Sequence, residues 1–240
     1  MKRTIVFLLC MISSIITFGQ NQKMLEEITC TPPKFTGVKG TVPLLVEQKY
    51  PSIEKYLGEN VSYPKAAIER MDQGTEVVRF VVTPQGNVTD IKIINSVSSE
   101  IDEEVINALA TTNGMWKPGR NYEKPVAMET EVAVAFRIDG LSHIDFYTMG
   151  KRYYLKGVEI LFTRESPKKA LKYFDKVVVL FPNETGLLAL RGLTRYELGD
   201  KDGAIRDWTR IKTLGGIEGD IYLDQFSDFK GYAEMISITR

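Results

Sequence analysis

The chain has few of the residues that most enzymes use for chemistry. It contains one histidine and two cysteines in 240 residues, and the histidine, His143, falls in a predicted linker. Nucleophilic and metal-dependent catalysis both need several such groups to converge. The sequence therefore predicts no catalytic residues, no metal site and no cofactor. It also argues against an enzyme and against a small-molecule substrate.

An excess of charge of one sign is lacking as well. The 31 Lys and Arg residues balance 31 Asp and Glu residues, and no long basic block occurs. Proteins that bind nucleic acid normally carry a basic patch, so nucleic acid is not a predicted partner.

A long apolar run is also missing. Lys2 and Arg3 precede an apolar run from Ile5 to Phe18, whereas a membrane-spanning helix needs about 20 residues. Small Gly19 and polar residues follow, which is the order found in secretory signals. We predict a signal peptide over residues 1–20, cleaved near Gly19 or Gln20, and export to the periplasm. The alternative is an uncleaved segment that anchors the protein in a membrane.

Residues 21–49 contain scattered prolines and glycines and no sustained hydrophobic period. We predict a tether there, with one short strand around Val42–Val46. Cleavage of the signal would leave Cys30 as the only cysteine, so no internal disulfide could form. Whether Cys30 links to a second chain or is unused stays open.

Residues 50–138 have the pattern of a small antiparallel α+β domain. Short helices are predicted at Pro51–Leu57 and Lys65–Met71, and then strands at Gly74–Val82 and Val88–Val97, which turn residues join as a hairpin. Ser99 and Asp102 are predicted to cap the next helix. That helix carries four apolar residues at helical spacing, namely Ile101, Val105, Ala108 and Leu109.

The last strand of this domain has the clearest alternation in the chain. One face carries Val126, Met128, Thr130, Val132, Val134, Phe136 and Ile138, and the other carries Glu129, Glu131 and Arg137. We expect the first face to cover a helix and the second to face water. Trp116, in the turn before this strand, is expected to bury its ring.

After a linker around Asp139–Asp145 the pattern is helical, and an internal repeat occurs. Ala170, Phe174 and Val177 recur 34 residues later as Ala204, Trp208 and Ile211, and Gly157 and Gly192 precede the two sets. We predict a helical domain over residues 146–238. Its final helix, around Ile221–Ile236 with Tyr222, Phe226, Phe229 and Tyr232, is expected to cap the stack.

Several motifs in order resemble the C-terminal domain of TonB, an envelope protein that transmits energy to outer-membrane receptors. They are Tyr63-Pro64 with Ala67, then Gly74, Phe80, Val82-Thr83-Pro84-Gln85-Gly86, Trp116-Lys117-Pro118-Gly119 and Val134-Ala135-Phe136. The 34-residue period resembles the tetratricopeptide repeat, where a small residue lets two helices approach and an aromatic fills the gap between them. The tether is shorter than the Pro-rich spacer usual in TonB proteins.

The first resemblance implies a protein-binding site at the edge of the sheet. If the last strand lies at that edge, its backbone can accept an extended peptide as an added strand, and we assign Glu129, Glu131, Val132 and Arg137 to this site. Residues before Tyr63-Pro64 contact receptors in that family, but Asn60 and Ser62 replace the usual glutamines. In the helical part, Arg191, Arg195 and Lys201 are candidates for a peptide groove. The alternative is an edge covered by the chain's own tether or by a second copy in a homodimer.

We therefore expect an exported, non-enzymatic adaptor of the Gram-negative envelope that binds outer-membrane receptors or other envelope proteins. One alternative is an energy transducer anchored in the inner membrane. Another is a structural scaffold in envelope assembly that binds no receptor.

Overall fold

The computed structural model describes residues 30–39, 50, 52–138, 145–217 and 226–240. The chain divides into two compact units, Met1–Asp139 and Gly140–Arg240. The predicted signal peptide, the strand around Val42–Val46, His143 and Tyr222 lie outside the described residues.

The first unit contains two longer helices, one short helix and eight strands in its described part. In chain order these are β1 (Cys30–Thr31), β2 (Lys34–Phe35), α1 (Ile53–Asn60), α2 (Lys65–Glu69), β3 (Gly74–Val82), β4 (Val88–Asn95), α3 (Ser99–Ala110), β5 (Trp116–Lys117), β6 (Gly119–Asn121), β7 (Lys124–Val126) and β8 (Met128–Phe136). The strands form three antiparallel sheets, in the orders β4-β3-β8, β1-β6-β7 and β2-β5. The prediction of an α+β fold with small antiparallel sheets is confirmed.

The core of this unit forms where one face of the β4-β3-β8 sheet meets α1 and α3. Every second residue of β3 and β8 faces this core, and all four predicted residues of α3 are buried in it. Burial of the valine, isoleucine, leucine and phenylalanine side chains among them contributes about 1.5–3 kcal/mol each. The sheet and helix residues concerned are Val78, Phe80, Val82, Val132, Val134, Phe136, Ile101, Val105, Ala108 and Leu109.

The second face of the sheet differs from the prediction. Thr75, Val77 and Ala135 lie on this face and are buried, whereas Glu129 and Glu131 are exposed. This face of the sheet is therefore exposed to solvent only over the half that carries Glu129 and Glu131. The physical reason is that small and apolar residues occupy the other half, so burying it costs little.

Part of the predicted tether belongs to the first unit. The strands β1 and β2 pair with β6 and β5, and the Phe35 ring is buried at 5.1 Å from the Trp116 ring, centroid to centroid. The Thr36 amide and hydroxyl both donate to the Met115 carbonyl, at 2.8 and 2.7 Å. Local patterns did not reveal these strands because each has two residues and its partner lies more than 80 positions away.

The turn before β4 contacts Trp116, which explains why the motif that ends at Gly86 and the motif that begins at Trp116 occur together. Gly86 has a positive φ of 79°, and a Cβ there would lie 2.3 Å from the Trp116 carbonyl oxygen. Only glycine fits this position. The Trp116 ring is buried, and its Nε1 donates to the Thr112 hydroxyl at 3.0 Å.

Three boundaries and one cap differ from the predictions. Helix α1 extends to Asn60, whereas α2 ends at Glu69, just before Met71 takes a positive φ of 62°. Strand β4 ends at Asn95. The N-cap of α3 is Ser98 rather than Ser99. The predicted capping pair forms other bonds, because Ser99 donates to Glu100 and Asp102 accepts from the Ser96 hydroxyl.

The predicted last strand is two strands. Val126 ends β7, which forms a hairpin with β6 through Tyr122 and Glu123, and β8 begins at Met128. Tyr122 and Glu123 have positive φ angles of 46° and 65°, as a two-residue hairpin turn requires. The sequence pattern hid this hairpin because neither turn residue is glycine or asparagine.

The second unit is helical in its described part. Its helices are α4 (Phe146–Thr163), α5 (Pro167–Leu180), α6 (Thr185–Glu197), α7 (Lys201–Thr213) and α8 (Tyr232–Thr239). Successive helices pack on one another. A Cβ on Gly157 would lie 2.6 Å from the Phe174 ring, and one on Gly192 would lie 2.4 Å from the Trp208 ring. The α4–α5 and α6–α7 pairs thus share the same contact between a glycine and an aromatic ring.

The final helix is shorter and later than predicted. Helix α8 spans Tyr232–Thr239 and packs against α6 and α7, with Met235 fully buried. Phe226 and Phe229 belong to a turn before it, so the predicted helix is wrong there. The apolar spacing did not identify a helix there because Phe226 and Phe229 pack from a turn. Phe226 stacks on Phe162, and Phe229 contacts both rings edge to face.

Candidate functional site

Strand β8 lies at the edge of its sheet. Among the described residues it pairs with β3 alone, and the nine paired positions from Gly74↔Phe136 to Val82↔Met128 continue without a register shift. The opposite edge strand, β4, has two register shifts, and Asp90 within it has a positive φ of 50°. Such irregularities hinder the pairing of another strand with an edge strand. Strand β8 is therefore the more regular edge for an added strand.

Side-chain contacts indicate which β8 peptide groups point away from β3. The Asn95 amide donates to the Thr75 carbonyl at 2.7 Å, so the Thr75 carbonyl points toward β4. In an antiparallel pair, peptide groups alternate in direction and opposed residues share it. Ala135, the partner of Thr75, therefore directs its amide and carbonyl to the free edge. The same direction follows for Glu129, Glu131 and Ala133.

Two further bonds agree with this assignment. The Ile138 amide donates to the Gln73 side chain at 2.9 Å, on the β3 side. Ile138 is an even number of residues from Val132, Val134 and Phe136, whose peptide groups face β3. The Val88 amide donates to the Asn113 side chain at 2.7 Å rather than to β3, as expected for an outward position of β4. The free edge of β8 thus has outward peptide groups at every second residue, and among these residues Glu129, Glu131 and Ala133 are not buried.

The side chains assigned to this site have different environments. Glu129 is exposed, and Glu131 accepts two bonds from Arg79 at 3.1 and 3.0 Å across β3 and β8. Val132 is buried in the core, and Arg137 is partly exposed just beyond β8. Glu129, Glu131 and Arg137 can contact a ligand through their side chains. Val132 is buried and its peptide groups have the direction that faces β3, so neither its side chain nor its backbone lies at the free edge.

The α1–α2 connection brings the second group of predicted site residues to the end of β8. Tyr63 is buried with its ring 5.4 Å from the Phe136 ring, and its hydroxyl donates to the Asp72 carbonyl. Burial raises the pKa of the Tyr63 hydroxyl. Pro64 forms the N-cap of α2. Tyr63 and Pro64 therefore shape the connection rather than present reactive groups.

Asn60 and Ser62 flank this connection. The Asn60 amide donates to the Tyr56 carbonyl at 2.8 Å, and the Ser62 backbone amide donates to Glu104 at 3.2 Å. Both side chains reach the surface. The structure brings this group and β8 together through the Tyr63–Phe136 contact.

The groove candidates of the second unit lie in an ion-pair network. Arg191 and Arg195 donate to the buried Asp207 carboxylate, with the closest N–O distances 2.6 and 3.0 Å, and both also pair with Asp175. Lys201 is exposed, with its amino group 5.2 Å from the centre of the Tyr196 ring. The network links α5, α6 and α7, so the two arginines have a structural role. Binding of a partner by Arg191, Arg195 and Lys201 stays a prediction.

One buried carboxyl was missed in the sequence. Glu76 on β3 is fully buried, and its Oε2 accepts from the Val97 amide at 2.8 Å. Burial raises its pKa to about 9, and the neighbouring Asp102 adds to the shift. The alternation along β3 could have revealed its burial, because Glu76 lies on the same face of the strand as Val78 and Phe80.

Within the described ranges, no three His, Cys, Asp or Glu side chains are grouped so as to hold a metal ion. None of the helices in these ranges combines the length and the hydrophobicity that a membrane-spanning segment needs. Cys30 is exposed in β1.

Residues 59–138 match the family model for the Gram-negative bacterial TonB protein C-terminal. The predicted TonB resemblance is confirmed over this third of the chain. A solution structure of the TonB C-terminal domain of Helicobacter pylori (residues 194–285) is 21% identical, with 36% of this chain and 90% of that chain covered and a TM-score of 0.29. No curated protein matches the chain. The tetratricopeptide nature of the helical unit stays a prediction.

Proposed function

We propose that this protein is an exported, non-enzymatic adaptor of the Gram-negative envelope. Its first unit binds an extended segment of an outer-membrane receptor, or of another envelope protein, as an added strand on β8. The observation that carries the proposal is the regular free edge of β8, which pairs with β3 alone among the described residues. The family match over residues 59–138 supports an envelope protein as the partner.

The partner segment would form backbone hydrogen bonds with the outward peptide groups of Glu129, Glu131 and Ala133, whereas Ala135 is buried. Backbone bonds of this kind provide affinity, and neighbouring side chains provide specificity. Glu129 and Arg137 would select the charge of the segment. Glu131 already pairs with Arg79, so it would attract a basic residue of the segment less strongly than an unpaired carboxylate would.

The second unit supplies a further binding module of tetratricopeptide type in this proposal. Its support is the contact between a glycine and an aromatic ring that recurs in the α4–α5 and α6–α7 pairs. Two modest sites in one chain raise the overall affinity for a partner that reaches both. Arg191, Arg195 and Lys201 would contribute through the parts of their side chains that remain at the surface.

The test uses a fluorescent peptide with the sequence of a receptor's TonB-binding segment and the double variant Glu129→Pro/Glu131→Pro. The two prolines remove amide donors from the free edge but leave the inward amides that bond to β3. We expect anisotropy titrations to show binding to the wild-type protein and its loss in the variant. Hydrogen exchange of β3 must show that the sheet of the variant is still formed.

Two controls separate the backbone from the side chains. Glu129→Ala/Glu131→Ala keeps both amides and should retain affinity within about a factor of five. A peptide N-methylated at alternate residues should not bind the wild-type protein, because its own donors are blocked. A folded proline variant that binds the peptide as tightly as the wild-type protein would contradict strand addition at β8.

A further inference from the structure

The α4–α5 pair carries an excess of positive charge in a chain that is neutral overall. From Lys151 to Lys176 there are eight basic and three acidic residues. On α5, Lys168, Lys172 and Lys176 follow one another at four-residue spacing and are all exposed, so they lie along one side of the helix. This basic surface was not recognised as a site in the sequence because its residues are divided between two helices.

A cleft of about 560 Å³ lies within this surface, lined by residues of α4 and α5. The rings of Tyr153 and Tyr173 have centroids 6.5 Å apart. The Arg152 guanidinium lies 5.5 Å from the centre of the Tyr153 ring, and the Lys176 amino group lies 5.3 Å from it. Two cations from different helices are thus held at one aromatic ring.

These two cations have no carboxylate partner among the residues that the structure describes. The one acidic residue of the cleft, Glu159, pairs with Lys156 at 2.9 Å and with Arg164 at 2.8 Å. These contacts lower the pKa of its carboxyl group, with the Lys156 bond as the largest cause. Glu159 is therefore already neutralised and does not balance Arg152 or Lys176.

The cleft also offers apolar surface. Leu155 lines it and is 54% exposed, and Tyr154 beside it is 36% exposed. Exposed apolar side chains next to cations that pair with no described carboxylate indicate a surface that contacts a partner. A concave cleft fits an inserted side chain, whereas a membrane surface would favour a flat or convex contact.

We propose that the cleft between α4 and α5 binds an acidic segment of a partner protein that also carries an aliphatic side chain. Arg152 and Lys176 bind the carboxylates of the segment, and Leu155 and the tyrosine rings cover its aliphatic side chain. The site is independent of strand addition at β8, because it uses none of the residues of that edge.

The experiment titrates the full-length protein into a short, end-blocked fluorescent peptide of repeated glutamate and leucine at about 0.15 M salt. We expect saturable binding that weakens roughly tenfold in Arg152→Ala/Lys176→Ala, since both charge contacts are lost. The matched control is Arg206→Ala/Lys212→Ala, which removes the same charge from exposed positions of α7. The control should bind as the wild-type protein does.

A second peptide, with serine in place of leucine, should bind at least about fivefold more weakly because it lacks the aliphatic group. The proposal is overturned if both double variants lose affinity equally, since attraction by net charge alone would explain that result. Equal binding of the wild-type protein and the cleft variant also overturns it. Binding to vesicles of anionic phosphatidylglycerol but not to the peptide would assign the surface to a membrane instead. The Glu129→Pro/Glu131→Pro variant should bind this peptide normally, so the two proposals fail separately.

Discussion

Replacing Glu76 by glutamine should stabilise the first unit, and the gain should grow as the pH rises. Glu76 is fully buried on β3 and accepts a hydrogen bond from the Val97 amide. Burial is the largest cause that raises its pKa from 4.5 to about 9, the Val97 bond opposes the shift, and Asp102 adds to it. The carboxyl group is therefore protonated in the folded protein at neutral pH.

The sign and size of the effect follow from the two pKa values. Below about pH 4.5 the carboxyl is protonated in both states, and its stabilising contribution is fully present. Between about pH 4.5 and 9 the unfolded chain loses the proton while the folded protein keeps it, so stability falls by about 1.4 kcal/mol per pH unit. The loss reaches roughly 3 kcal/mol at about pH 7. Glutamine has a similar shape and no proton to lose, so it avoids this loss.

Urea unfolding at several pH values, followed by hydrogen exchange of the β3 segment, measures the first unit separately from the helical unit. We expect Glu76→Gln to change the free energy of unfolding little near pH 4 and to raise it by about 3 kcal/mol near pH 7. Glu129→Gln makes the same chemical change at an exposed position and should stay within about 0.5 kcal/mol at both pH values. A gain that does not depend on pH, or a loss near pH 7, would refute the reasoning.

Two further predictions concern the helical unit and the N-terminus. Gly192→Ala should lower the free energy of unfolding by about 1–3 kcal/mol, because the new Cβ would lie 2.4 Å from the Trp208 ring; thermal unfolding measures this. Gly186→Ala, on the same helix with no described atom within 4 Å of its Cβ, should instead stabilise by about 0.5–1 kcal/mol, and a loss at both positions would contradict the packing argument. The intact mass of the protein from its native envelope should lack the residues up to Gly19 or Gln20 and occur in the soluble fraction. A full-length mass in the inner membrane would instead favour the energy transducer.

Much of the first unit could be predicted because its information is local. Strand β3 was predicted with the observed ends, and the four apolar residues of α3 are all buried. Alternation along a strand and the 3.6-residue period of a helix identify the core face without knowledge of the fold. The same alternation, read for Glu76, would have placed a carboxyl group in the core.

The candidate site could be predicted only in part. The alternating pattern of β8 was visible, but its place at the sheet edge came from the resemblance, and the direction of its peptide groups needed the Asn95–Thr75 bond. The groove candidates illustrate the same limit. Arg191 and Arg195 look like surface charges in the sequence, yet the fold places Asp207 and Asp175 beside them. Charge partners on different helices have no fixed spacing along the chain.

The sequence by itself determined the helices and strands with strong periods, the match to the TonB C-terminal family and the 34-residue repeat of the helical part. Each depends on residues close in the chain or on a spacing that the backbone geometry imposes. Only the tertiary structure decided that β1 and β2 join the first unit, that β8 is the regular edge, and that two cations with no carboxylate partner among the described residues meet at Tyr153. These features join residues from separate segments, and their contacts form only when the chain has folded.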